Sequence, residues 1–421
     1  MIAVAAVIVA ALAAGWPAAR LAGVRGVVAV RLGTAFLLGA GIVAASLFLL
    51  SLLGLAWSRT SILILFSLIA SLLWWYALKK VEPAQELLAP SDRRFVPLVM
   101  VADLSTLLLV VGHALYATAS APFETDFLSI WGLKARVFAE NQGIDWVFLA
   151  SPWNFFSHPD YPLLLPLLFD AAAVTGGGWD DRWLGLFTTA FGAAALLSIR
   201  GLLRYEMAAG FAAMITFVLA SMVLSPWIGM AEAPMIAYAA VSLLFFRRAL
   251  RLSAGAHTHV PEWTAAAWLL ACAVMTKNEG YALVIAVAAG VVIALRGRRL
   301  ANLVRLWPAV AVAGGWMVVR ALLGLENDLT VGSPWARARS ADPVEMMRLL
   351  WVHGGGAIPW VGLALAAVVG AFESVRRERF LLAVVAVQLA FYLAAYVITP
   401  NGMEWQIRWS WGRLVTHLLP L

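Results

Sequence analysis

A single cysteine among 421 residues leaves no partner for a disulfide. That residue, Cys272, sits in an apolar run and reads as inert packing. Charge is scarce as well. Asp, Glu, Lys and Arg make up 13% of the chain, against about 25% in soluble domains. No long polar stretch marks a separate soluble domain. No basic face with interleaved aromatics accompanies the net charge of +7, so that charge does not point to nucleic acid. Apolar residues supply the bulk: 63% of the chain is hydrophobic and the mean hydropathy is +0.88.

A bilayer core of ~30 Å takes about 20 apolar residues per helix. The expected fold class is therefore all-α, a polytopic transmembrane helical bundle of about 11–14 membrane segments. Apolar runs fall near 2–16, 32–57, 61–78, 97–120, 162–176, 183–199, 208–225, 235–246, 264–276, 281–295, 307–323, 356–372 and 380–398, with a last short one from Arg413. The first run has no charged residue before it and reads as a retained helix rather than a signal peptide. Runs below spanning length read as half-helices, tilted helices or re-entrant pieces, which need protein or a cavity around them.

Basic residues cluster in short loops. The clusters are Lys79, Lys80, Arg93 and Arg94; Arg247, Arg248 and Arg251; Arg296, Arg298 and Arg299; and Arg376, Arg377 and Arg379. The positive-inside rule puts all four in the cytoplasm. Loops 121–161, 225–234, 276–280, 324–350 and 399–412 then fall outside. One conflict remains: if 162–176 crosses fully, Arg200 and Arg204 land outside against the rule. Either that run dips and returns or the rule fails there.

The external loop 121–161 carries Glu124, Asp126, Lys134, Arg136, Asp145, His158 and Asp160, with Trp131, Trp146 and Trp153. Phe127, Ile130, Trp131, Val137 and Phe138, with the stem of Lys134, recur at helical spacing. An amphipathic juxtamembrane helix lying in the interface is expected. Glu124 and Asp126 precede it, where a helix N-terminus stabilises an anion. A solvated loop with a capping aspartate is the plain alternative. The other external loops bring Glu232, then Lys277 and Glu279, then Glu404, Arg408 and Arg413 to the same face. Ionisable groups at membrane depth are costly and usually functional. A salt-bridged hairpin tip is the plain reading of Lys277 and Glu279, and a helix start that of Glu232. His257 and His259 lack a third ligand and read as solvated.

An acidic residue after a span, a W-x-x-K-A helix at 131–135 and the proline-rich HPDYPLLLPLL at 158–168 together resemble the GT-C superfamily of membrane glycosyltransferases. Within it, the protein O-mannosyltransferase and aminoarabinose transferase-like bacterial families are the nearest in pattern. TKNEG at 276–280 resembles a Lys-x-Glu-Gly element, and WQIRWSWGRLVTHLLP at 405–420 a C-terminal pattern, of these relatives. The family's loop opens with two adjacent acids. Asp126 matches the first, Phe127 stands in place of the second, and Glu124 is the nearest substitute. The resemblance covers 97–421, with 1–96 outside the usual core.

The resemblance implies a sugar on a polyprenyl-phosphate donor, moved with inversion to a lipid, glycan or protein acceptor at the outer face of the bacterial plasma membrane. Asp126 is then the base. Lys277, or Arg408 or Arg413, binds phosphate, and Glu279 orients Lys277. His158, Asp160, Tyr161 and Glu232 are further substrate contacts, although a simple turn also accounts for His158, Asp160 and Tyr161. No metal cofactor is expected. A divalent cation on Asp126, Glu124 and Glu232 is the alternative. Competing functions are a transporter or flippase, a polymerase or ligase of lipid-linked sugars, and a non-catalytic envelope scaffold.

Overall fold

The computed structural model describes residues 1–24, 26–79, 96–255, 260–295, 300–329, 331–353 and 357–418. Among them the regular structure is helical throughout. The helices are α1 (Ile2–Leu21), α2 (Val28–Leu52), α3 (Arg59–Lys79), α4 (Val96–Ala119), α5 (Gly132–Asn141), α6 (Trp146–Ala150), α7 (Leu164–Gly176), α8 (Leu186–Leu203) and α9 (Ala209–Val223). They continue as α10 (Glu232–Gly255), α11 (Glu262–Val274), α12 (Glu279–Leu295), α13 (Trp307–Leu323), α14 (Pro334–Ser340), α15 (Pro343–His353), α16 (Ala357–Ile398) and α17 (Met403–Thr416). Among the described residues eight helices are long and apolar enough to cross a membrane, and four more are apolar but shorter. Lys80, Arg93, Arg94, His257, His259, Arg296, Arg298 and Arg299 lie outside the described residues.

Local signals set the boundaries. Asp145 caps α6 by accepting from Phe148 N at 2.8 Å, and Pro308 opens α13 where its missing N–H costs nothing. Gly177 (φ +83°) and Gly324 (φ +64°) end α7 and α13 in the left-handed conformation that glycine adopts without strain. The runs expected at 356–372 and 380–398 form one long helix, α16, bent at Glu378 (φ −108°, ψ 16°).

Small residues let α1 and α2 touch backbone to backbone. A Cβ on Gly39 would come within 1.7 Å of the Ala11 carbonyl oxygen, and one on Gly15 within 1.7 Å of that of Ala35. Close approach through glycine is how apolar helices gain van der Waals contact where lipid offers no hydrophobic contrast. Both helices contribute to the same main core as α7, α8, α10 and α11.

The two ends of the bundle differ in chemistry. At one end Arg247 bonds Glu378 (2.6 Å) and pairs with Glu206, and Arg251 bonds Glu206 at 2.8 Å. Arg248 pairs with Glu262 at 3.4 Å and lies 4.1 Å from the Tyr205 ring centre. Arg200 reaches Asp103 at 2.9 Å at that same end. Loops 121–161, 225–234, 276–280 and 399–412 gather at the other.

Helix α7 bears on the conflict over Arg200 and Arg204, because it does not run from one end of the bundle to the other. Leu164 N bonds Met275 O (2.9 Å) beside the 276–280 turn. Its last turn accepts from Arg59 at the start of α3, Val174 O to Arg59 Nε at 3.3 Å. The residues before α3 bond the 141–144 turn, Trp57 N to Gln142 O at 2.6 Å. Both ends of α7 thus lie at one end of the bundle. The next helix, α8, starts there as well and carries Arg200 to the basic end.

The tightest test of this packing is Gly39→Leu. The branched side chain has no room against Ala11, and overpacking of this kind costs about 1–3 kcal/mol. The expected result is a lower unfolding midpoint in detergent and a smaller folded yield, read by thermal scanning fluorimetry. An unchanged midpoint contradicts the packing.

Candidate functional site

Asp126 ends one helical turn and begins another. The five residues after it, Phe127–Trp131, form a π-helix before α5 resumes the α spacing. Such bulges recur at functional sites because they rotate a side chain out of register. The expected amphipathic helix exists, and its apolar face packs against protein. Phe127, Ile130, Trp131 and Phe138 are buried in the main core, where α5 packs on α7. Phe127 meets Phe169 of α7 edge-on at 5.8 Å. A helical stripe of this kind serves a protein core as well as a lipid surface, and the spacing alone does not distinguish them.

Asp126 pairs with Arg413 of α17. Arg413 also approaches Glu232, the first residue of α10, at 3.6 Å. Lys277 donates to Glu232 at 3.1 Å and pairs with Glu279 at 3.0 Å. The result is a chain of alternating charge: Asp126, Arg413, Glu232, Lys277, Glu279. Its members differ in access. The Asp126 side chain is 28% exposed, whereas Glu232, in the middle, is wholly buried and Lys277 nearly so. Glu232 and Glu279 each keep one carboxylate oxygen without a hydrogen-bond partner among the described residues.

His417, one turn beyond Arg413, lies beside this chain. Burial and the neighbouring Lys277 ammonium push its imidazole down to about 4, so it is neutral at neutral pH. Its Nδ1 contacts the Tyr392 hydroxyl at 3.3 Å. Gln388 links Tyr392 (3.1 Å) to the Glu279 carbonyl (3.3 Å).

A second polar group adjoins the first. The buried Asp160 carboxylate accepts from Asn278 Nδ2 at 2.6 Å and Asn327 Nδ2 at 2.7 Å, and its carbonyl accepts from Trp316 Nε1 at 2.9 Å. Tyr161 stacks between Trp131 (5.5 Å) and His158 (4.7 Å). His158 holds a left-handed backbone, φ +48°, which is uncommon away from glycine. The Lys134 ammonium fixes that turn, donating to His158 O at 2.5 Å beneath the Trp131 and Tyr161 rings. Lys134 does not extend to water along its stem; the whole side chain is buried. Burial pushes its amine down to about 7, and the Asp160 carboxylate opposes that shift.

Not every candidate joins the cluster. Arg408 is exposed on the outer side of α17, its guanidinium 5.9 Å from the Trp409 ring centre. Glu124 makes no ion pair among the described residues. Conversely, Lys134 and His417, which the quoted motifs contain without a role in the site, belong to the cluster, as do Asn278, the variable position of the Lys-x-Glu-Gly element, and Asn327, which no motif marked. Among the described residues no group of three His, Cys, Asp or Glu side chains is placed to hold a metal.

Searches of protein-family models, curated proteins and solved structures find no match to this chain.

The Lys134 geometry fixes a pH dependence. Its folded-state affinity for a proton is below the unfolded value, so between about pH 7 and 10 the unfolded chain binds more protons and stability rises with pH. Amide exchange across 132–161, corrected for intrinsic rate, should slow several-fold from about pH 6 to 9. Lys134→Met should flatten that slope. A wild-type slope that persists in the variant assigns the effect to another group.

Proposed function

We propose that this chain is an integral membrane glycosyltransferase of the GT-C kind, with Asp126 as the base. The observation that carries the reading is the pairing of Asp126 with Arg413, which in turn approaches Glu232, the partner of Lys277, so that one acid and two cations from distant parts of the sequence join one ion-pair chain. An acid and paired cations are what transfer from a phosphate-linked sugar needs. The acceptor hydroxyl attacks the anomeric carbon from the face opposite the leaving group. The bond from that carbon to the phosphate oxygen breaks, and the polyprenyl phosphate leaves with the electron pair. Asp126 takes the hydroxyl proton. Arg413 and Lys277 stabilise the charge gathering on phosphate, the first as a planar fork and the second as a point charge.

The ion pair between Asp126 and Arg413 fits this sequence of events. While no ligand is bound, Arg413 holds the Asp126 carboxylate in an ion pair. A donor phosphate competes for Arg413 and leaves Asp126 free to accept a proton. Asp160, Asn278, Asn327 and the Trp131–Tyr161–His158 stack offer polar and aromatic surfaces suited to a sugar. A groove of about 400 Å³ adjoins the Phe169–Phe127 contact, with Val4, Phe169, Ala172 and Trp183 on its apolar side and Asp180 at its polar side, and its apolar side offers room for part of an isoprenoid tail. In this reading the protein is multi-pass in the bacterial plasma membrane, the basic end faces the cytoplasm, and the site faces outward. The acceptor is a lipid, glycan or protein.

A transporter of lipid-linked sugars is the second reading, favoured by the wholly buried Glu232 in contact with Lys277. Asp126→Asn separates the two. With insertion and expression matched to wild type, mass spectrometry of envelope lipids and glycans should show a specific glycosylated product reduced about 100-fold or more. Survival of every product at wild-type level rejects Asp126 as base. Accumulation of an unflipped lipid-linked sugar, with no loss of a glycosidic bond, supports transport instead.

A further inference from the structure

The charge chain lies under α17, and α17 is attached differently from the helices around it. Its apolar residues Ile407, Trp411 and Leu414 belong to a second hydrophobic cluster with Met346, Leu349 and Leu350 of α15 and Tyr392 and Tyr396 of α16. Among the described residues that cluster is separate from the main core. Within it Tyr396 bonds Ser410 at 3.1 Å. Across to the main core, the ion pairs of α17 are those of Arg413, to Asp126 beside the π-helix and to Glu232 of α10. The connection to α16 is the short turn 399–402, which includes Pro400 and ends in Gly402 at φ +79°. A helix on a short turn, with its own small core and a charged clasp to the rest of the molecule, can separate as a unit.

We propose that α17 is a displaceable lid over Glu232, Lys277 and Glu279, and that the double ion pair of Arg413 is the latch that keeps it closed. The inference deepens the proposed function, since it treats the covered ion-pair cluster as part of a substrate site. The latch itself is a property of the ligand-free protein. Arg413 and Asp126 are both partly exposed, 19% and 28%, so salt reaches this clasp. It therefore opens more readily than the wholly buried Glu232–Lys277 contact beneath it.

The test is hydrogen exchange on the full-length, ligand-free protein in detergent, comparing wild type with Arg413→Gln and Arg413→Lys at about 0.05 and 1 M salt. The expected result is α17 exchanging roughly tenfold faster in R413Q, with α10 and α12 unchanged. R413K, which keeps the charge and loses the fork, should fall between. Salt should speed exchange of α17 in wild type and have no effect on it in R413Q. Two results overturn the proposal. Unchanged α17 exchange in R413Q means the second cluster alone holds the helix. Equal loss of protection in α10, α12 and α17 means Arg413 is a strut of the main core. Failure of the glycosyltransferase reading shows as unaltered products in the Asp126 variant and leaves this exchange result standing.

Discussion

The fold depends on compensating charge in an apolar interior. Removing one ion from water costs several kcal/mol even after relaxation, so a buried carboxylate needs partners held in place. Glu232 sits on α10 with no exposure, and it meets Lys277 from the 276–280 turn and Arg413 from α17. Each cation is shared with a second acid, Glu279 or Asp126. The start of α10, the 276–280 turn, the beginning of the π-helix and the end of α17 must therefore converge. The rest of that end, including the Asp160 amide pair and the Gln388–Tyr392–His417 relay, is built around the convergence.

Helix length sets how deep this convergence lies. From Glu232 to Arg248 is sixteen residues of α10, about 24 Å of rise, less than the ~30 Å of a bilayer core. Between the paired Glu262 and Lys277 the chain has a similar reach. The second half of α16 runs on for about 15 Å past Gln388, which touches Glu279. Helix α16 continues past the starts of α10 and α12, and α17 folds back beside it, Ser410 against Tyr396 and His417 against Tyr392.

Much of this was legible in the sequence because it follows from composition and local spacing. Hydropathy gave the helices, and the arginine clusters marked the basic end. Lys277 and Glu279, two residues apart across a tight turn, were readable as partners. Their third member, Glu232, lies 45 residues from Lys277, and Asp126 lies 287 from Arg413, so no local pattern links them. Lys134 was misread for a different reason. At helical spacing a lysine on an apolar stripe suggests a buried stem with its charge in water, and only tertiary packing shows the charge capped by the His158 carbonyl. Helix α7 was ambiguous because thirteen mostly apolar residues suit a dipping segment as well as a tilted span. The bonds at its two ends, Leu164 N to Met275 O and Arg59 Nε to Val174 O, join positions far apart in the sequence, so no local pattern shows them.

The distance between Asp126 and Arg413 along the chain also bears on biosynthesis. Asp126 leaves the ribosome early, after the first four helices, and Arg413 only after all eight candidate spans. Until α17 emerges, Asp126 lacks its guanidinium and Glu232 has Lys277 alone. A ribosome-bound nascent chain can therefore be inserted and largely packed while its charged centre is still incomplete. Assembly of that centre therefore waits for α17, and chains that have not yet reached it hold the cluster without one of its two cations.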